Sequence, residues 1–125
     1  MGHYTYVKYP IRKLLSIRQI VTIHYLTHIR NVDTAPDRHD FWEMVFVDFG
    51  QIEIETDGVR SPLHAGEVYF HRPLQSHCFH VGEKPATVFI LSFACHSGFM
   101  ALFQNLRLCL RDKQKQILSQ LLCEV

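Results

Sequence analysis

The sequence predicts a mainly β protein, an antiparallel sandwich or jelly roll closed by one or two C-terminal α-helices. Short β-branched and aromatic runs are separated by turn signals at nearly even spacing, and Asp57-Gly58 between two of them is a strong hairpin signal. Apolar residues recur at three- and four-residue intervals only near the C-terminus.

Residues 1–15 contain Tyr4, Tyr6, Tyr9 and Pro10 without a sustained period, and read as an arm or leader. The barrel is expected over 16–95. Ile17–Ile29 is its first strand, with Val21, Ile23 and Tyr25 on one side and Ile20, Thr22, His24 and Leu26 on the other, so both faces should be partly covered. A turn-rich loop, Asn31–Asp37, leads to Glu43–Phe49, which Gly50 separates from Gln51–Thr56. In the latter, Ile52 and Ile54 alternate with Gln51, Glu53 and Glu55, giving one dry face and one wet one. Val59–Leu63 returns as the hairpin partner. Val68-Tyr69-Phe70 follows Gly66 and is ended by Pro73, which has no N–H for a ladder. His77–Val81 and Thr87–Phe93 complete the strands, with the turn Gly82-Glu83-Lys84-Pro85 between them.

Residues 96–125 read as a helical segment. Ser97 is a reasonable N-cap for a short helix over Gly98–Gln104, and Asp112 for a final helix, Lys113–Cys123, carrying the stripe Ile117, Leu118, Leu121 and Leu122.

A chain of 125 residues is one domain with one core. Its net charge of +1 provides no basic stripe, so this chain alone should not hold DNA. No signal peptide is visible, and the longest apolar run, Ala86–Cys95, is about half the ~20 residues a membrane span needs. Cys78, Cys95, Cys109 and Cys123 form no Cys-x-x-Cys pair and read as reduced thiols of a cytoplasmic protein. There is no Gly-x-Ser-x-Gly elbow and no phosphate loop, and no catalytic residue is assigned.

The stretch from Arg38 to His77 resembles the two motifs of the cupin superfamily, which implies a double-stranded β-helix. His39 stands at the second histidine of the first motif, Glu43 follows after three residues and Gly50 after six more, while Asp37 replaces the first histidine. The second motif opens at Gly66 and reaches His77, with Arg72-Pro73-Leu74 where Pro-x-Gly is usual; Leu74 takes positive φ less freely than glycine. Three longer segments, FWEMVFVDFGQIEIETDG, GEVYFHRPLQSHCFHV and VFILSFACHSGFMALFQN, resemble the N-terminal sensor half of AraC-type transcription regulators, from about Ser16 onward. That resemblance implies an effector-binding and dimerisation domain, not an enzyme, with DNA contacted only through a C-terminal domain absent from this chain. It implies a sugar or small polar metabolite as effector, no resident cofactor, and a homodimer in which the final helix meets its twin at Ile117, Leu118, Leu121 or Leu122.

The candidate ligand-binding residues are Arg38, His39, Trp42, Glu43, Arg72, His77 and His80. His39, Glu43 and His77 match three cupin ligand positions, and two histidines with one carboxylate suffice for Fe(II), Mn(II) or Zn(II); Asp37 would add a fourth oxygen. Without a metal, Glu43 and His77 would simply hydrogen-bond inside the barrel mouth. Arg38 and Arg72 offer planar donor forks to a carboxylate or hydroxyl-rich ligand, or else are rim charges. Trp42 is a binding platform or a core residue. Of the nine histidines, His24, His28, His64, His71 and His96 read as exposed or singly hydrogen-bonded. His80, three residues after His77, should point to the opposite face. The rival readings are a small metal-dependent cupin enzyme, an oxygenase or isomerase using His39, Glu43 and His77, and an interaction domain with a filled barrel.

Overall fold

The structure, a computed structural model, describes residues 17–123. The predicted arm over 1–15 lies outside the described residues. The strands are β1 (Ile17–Ile29), β2 (Val32–Asp33), β3 (Trp42–Phe49), β4 (Gln51–Thr56), β5 (Val59–His64), β6 (Glu67–His71), β7 (His77–Val81), β8 (Ala86–Cys95) and β9 (Arg107–Cys109). A 3₁₀ turn, Gly98–Phe103, follows β8, and the helix α1 spans Asp112–Cys123. One antiparallel sheet has the order β1-β8-β3-β6-β9 and the other β2-β7-β4-β5.

The two sheets face each other across a core that follows from the two-residue period of each strand. Val45, Val47, Tyr69, Val88 and Ile90 from the five-stranded sheet meet Ile52, Ile54, Leu63 and Val81 from the four-stranded one. The alternate residues of the five-stranded sheet are also apolar, because its outer face is covered as well. Trp42, Phe93 and Cys95 lie beneath Met100 and Phe103 of the 3₁₀ turn. Phe46, Val68 and Phe89 lie beneath Leu118, Leu121 and Leu122 of α1. Three of the four residues expected at a two-fold contact are therefore seated on the chain's own barrel wall, and Ile117 is left 57% exposed.

Other elements depart from expectation. Among the described residues β1 is a sheet edge paired only with β8, and most of its side chains are exposed, so its two faces are less covered than its composition suggests. The loop before the first motif contains β2, whose Val32 and Asp33 pair with Val81 and His80. The C-terminal segment contains β9, which extends the sheet beside β6. The N-cap of α1 is Arg111 rather than Asp112: its carbonyl accepts from Lys115 N–H, and Gln114 reaches back to accept its N–H at 2.7 Å, half of a capping box.

Two turns depend on glycine, and one does without it. Asp57 and Gly58 both have positive φ, as the two-residue β4–β5 hairpin requires. Gly50, where the chain passes from one sheet to the other, combines φ of 79° with so close an approach that an added Cβ would lie 2.5 Å from the Pro85 carbonyl oxygen. Leu74 adopts φ of 65° although it is not glycine, and its N–H donates to the His39 carbonyl at 2.7 Å, tying the corner to the first motif.

Gly58→Ala meets no neighbour and is expected to cost about 1 kcal/mol of unfolding free energy from its backbone conformation alone. Gly50→Ala adds a backbone collision and is expected to cost more than roughly 2 kcal/mol. Urea unfolding of both variants tests the ranking; equal losses would mean that the chain crossing at Gly50 has room to give.

Candidate metal and ligand site

Strand β3 carries Trp42 outward and Glu43 inward, and its register sets the site. Glu43 lies opposite His71 on β6 and Ser92 on β8. His77 begins β7 in the facing sheet. His39 precedes β3 in a loop bridged to β7 through paired backbone hydrogen bonds between Asp37 and His77. The side chains of His39, Glu43 and His77 meet at a cavity of about 310 Å³, also lined by Thr22, Thr34, Phe41 and Ser92.

Hydrogen bonds fix the tautomers of both site histidines. His39 Nδ1 is 3.0 Å from the Phe41 carbonyl and His77 Nδ1 is 2.8 Å from the Gln75 carbonyl. A carbonyl can only accept, so each Nδ1 carries a hydrogen, and each neutral ring is left with a lone pair on Nε2. Those two Nε2 atoms are 3.1 Å apart, and Glu43 places its oxygens 3.0 Å from that of His77 and 3.7 Å from that of His39. Three electron-pair donors converge on one point. A shared proton satisfies them, and so does a cation.

In the metal-free site Glu43 and His77 each favour the charged form of the other. Burial opposes the charge on Glu43, but the hydrogen bond and charge of His77, helped by His71 and His39, hold its carboxyl below the usual range. Burial opposes the charge on His77 too, yet Glu43, the Gln75 carbonyl and Asp37 raise it above an ordinary histidine. Beneath His77, at a 4.5 Å centroid separation and 15° between planes, is His71, which is 1% exposed. Burial first, and the charge of His77 second, push His71 down to about 4. Its Nδ1 is buried without a hydrogen-bond partner, a condition that ordinarily costs a protein ~1–3 kcal/mol.

The remaining candidates lie elsewhere. Trp42 is buried on the opposite face of β3 from Glu43, so the strand period makes it core and not a platform. Asp37 lines the cavity, but its carboxylate caps the Arg38 N–H at 2.8 Å and stands outside the three-donor group. Arg38 is exposed and does not line this cavity. Arg72 donates to the Pro73 carbonyl at 3.1 Å and is likewise absent from the lining. His80 faces outward onto a separate, larger groove of about 1120 Å³ on the four-stranded sheet. His39, Glu43 and His77 do not line that groove.

His71, expected from sequence to be exposed or singly hydrogen-bonded, is instead buried beside Glu43, and Ser92, which the sequence does not single out, flanks Glu43 on its other side. Pairing β3 with its neighbours residue by residue would have found them, because they flank Glu43 in register.

A two-sheet antiparallel jelly roll with this histidine and carboxylate group at its mouth is a cupin double-stranded β-helix with a C-terminal helix. Solved structures share the fold. A Cupin 2 conserved barrel domain protein from Salinispora arenicola matches at TM-score 0.52 and 16% identity, over 80% of this chain and 97% of that one. An RmlC-like cupin from Shewanella frigidimarina matches at TM-score 0.52 and 18% identity, over 62% of this chain and 68% of that one. YhaK from Escherichia coli matches at TM-score 0.60 and 18% identity over 86% of this chain, which spans 50% of YhaK's length. No family model matches the chain, and no curated protein matches it in sequence. At these identities the likeness is one of fold, and the regulator family rests on the sequence segments alone.

His71 gives the site an acid limb. Its folded value near 4 lies below the 6.5 of the unfolded chain, so between those values the unfolded state binds more protons. The contribution of His71 to stability is therefore full above pH 6.5 and is lost as the pH falls toward 4. His71→Phe, which keeps a ring against His77, is expected to flatten that loss in urea titrations at pH 7 and pH 4.5. Identical pH profiles for the two proteins would show that His71 does not titrate with folding.

Proposed function

We propose that this chain is a small-molecule-sensing cupin domain in which His39, Glu43 and His77 hold a divalent cation that helps bind the effector. The observation that carries this reading is the pair of Nε2 lone pairs facing each other beside a carboxylate, with both Nδ1 positions already committed to backbone carbonyls. An outer hydrogen bond of that kind is what orients metal-binding imidazoles. Ligands about 2.1 Å from a common ion lie roughly 3.0–3.5 Å apart; the separations of 3.1 Å and 3.0 Å fall in that range, and the 3.7 Å between His39 and Glu43 is slightly beyond it. Two histidines with one carboxylate suit Fe(II), Mn(II) or Zn(II) and leave positions open. A bound ion would supply Lewis-acid charge for an effector's carboxylate or adjacent hydroxyls, while Thr22 and Ser92 offer hydroxyls and Phe41 a ring.

The cavity is at the lower end of the ~300–1,000 Å³ usual for small-molecule sites, which favours a sugar or small polar acid over a filled barrel. The AraC-type segments support a cytoplasmic, non-enzymatic sensor that acts as a homodimer and reaches DNA through another domain. No helix among the described residues is long and apolar enough to cross a membrane. Leu118, Leu121 and Leu122 pack on the barrel but stay half-buried, and with the exposed Ile117 they leave α1 apolar surface to offer a second copy. The same donor set supports a second reading, a small metal-dependent oxygenase or isomerase.

Calorimetric titration of metal-stripped protein with Mn(II) tests the site, and His39→Ala and His77→Ala are each expected to weaken binding by more than the ~10–100-fold that losing an outer hydrogen-bond partner costs. Wild-type affinity in both variants would end the metal reading. A thermal-shift screen of sugars and small acids with the metal-loaded protein should raise the melting point for the effector, by about 2.7 kcal/mol of stability at 100 times its dissociation constant. Chemical conversion of that compound would favour the enzyme over the sensor.

Ile117→Glu is expected to leave the fold intact and shift sedimentation from dimer to monomer at tens of micromolar protein. A monomeric wild type, or a mutant that stays dimeric, would remove α1 from any two-fold contact.

A further inference from the structure

We infer that Glu55, Cys78 and His80 form a second metal site, suited to a thiophilic divalent ion such as Zn(II), on the outer face of the four-stranded sheet. The strands place these residues together. Cys78 and His80 are two apart on β7 and share its outward face, and Glu55 lies opposite Cys78 on β4. Cys78 Sγ is 2.7 Å from Glu55 Oε2 and 3.6 Å from His80 Nε2, and His80 Nε2 is 3.5 Å from the same carboxylate oxygen. Thiolate, imidazole and carboxylate are the donors zinc selects.

The surroundings are arranged as a metal site needs. His80 Nδ1 is 2.7 Å from Asp33 Oδ1 on β2, which holds the hydrogen on Nδ1 and leaves the Nε2 lone pair toward Cys78 and Glu55. Arg60 Nε engages the other oxygen, Glu55 Oε1, at 3.6 Å, so Oε2 remains turned to the cluster. Cys78 is buried, while the side chains of His80 and Glu55 keep 12% and 21% of their exposure, enough for an ion to arrive from solvent. His80 and Asp33 also line the 1120 Å³ groove, from which water or a small anion could complete the coordination. On binding, the Cys78 S–H proton leaves to solvent, a sulfur–metal bond replaces it, and Glu55 exchanges the thiol hydrogen bond for the ion. No electron is transferred.

Co(II), whose thiolate complexes show a near-ultraviolet charge-transfer band, is the probe. Titrated into the reduced Cys109→Ser/Cys123→Ser protein, which removes the exposed thiols, it should give that band at one equivalent of thiolate site per chain. Adding Cys78→Ser should abolish the band, His80→Ala should weaken its apparent affinity at least ~10-fold, and Asp33→Asn by ~10-fold or more. Adding His39→Ala should leave the band unchanged, which separates this site from the inner one whatever the inner one binds. Absence of a band at excess Co(II), its survival in the Cys78→Ser protein, or indifference to His80→Ala would overturn the inference. If Cys78→Ser fails to fold by circular dichroism, the His80→Ala comparison decides alone.

Discussion

The two-residue period of β3, clamped between β8 and β6, is the constraint on which the rest depends. Once Val45 and Val47 are committed to the barrel interior, Glu43 must face inward and Trp42, Met44 and Phe46 outward. The inward carboxylate then falls in register with His71 and Ser92, and the outward aromatics must be covered. The 3₁₀ turn and α1 cover them. The C-terminal segment is thus a consequence of the sheet's second apolar face, and the same alternation that builds the site requires the helix.

That site stands against the tendency of a core to be neutral and satisfied. A carboxylate and three imidazoles are grouped where burial opposes charge on Glu43, His71 and His77 alike. The group eases the conflict by dividing its members: Glu43 and His77 each favour the other's charged form in mutual contact, and burial holds His71 toward its neutral form behind them. A positive ion between His39, Glu43 and His77 would relieve the facing lone pairs without a proton, yet would leave the orphaned Nδ1 of His71 as it is. The unsatisfied atom lies outside the donor set, in the ring stacked on His77.

The strands were legible because alternation and turn chemistry are local. Ile52 and Ile54 announced an inward face, and Asp57-Gly58 announced a hairpin. The convergence of His39, Glu43 and His77 was visible only through motif spacing, since they come from a loop and two different sheets and no local pattern joins them. What escaped reading depended on pairing. β2 and β9 are two- and three-residue strands whose existence is decided by the partner they lie against, β7 and β6, and not by their own propensity. His71 looked like one more surface histidine because a single strand does not reveal its neighbours. The packing of Leu118, Leu121 and Leu122 against the barrel was open from sequence for a related reason: an apolar stripe states that something covers it, not what.

Strand β7 shows how far one short segment can be used. His77 points into the barrel toward Glu43, while Cys78 and His80 point out toward Glu55 and Asp33, so successive residues serve donor groups on opposite faces of a single sheet. The two groups share a rigid element. The backbone of His77 is bridged to Asp37 beside His39, and that of His80 is paired with both Asp33 and Glu53, which leaves β7 hydrogen-bonded on its two edges. An outward donor group on such a strand would act on the inner one through strand position alone. Small displacements matter there, since the inner donors stand 3.0–3.7 Å apart and must agree on one point in space.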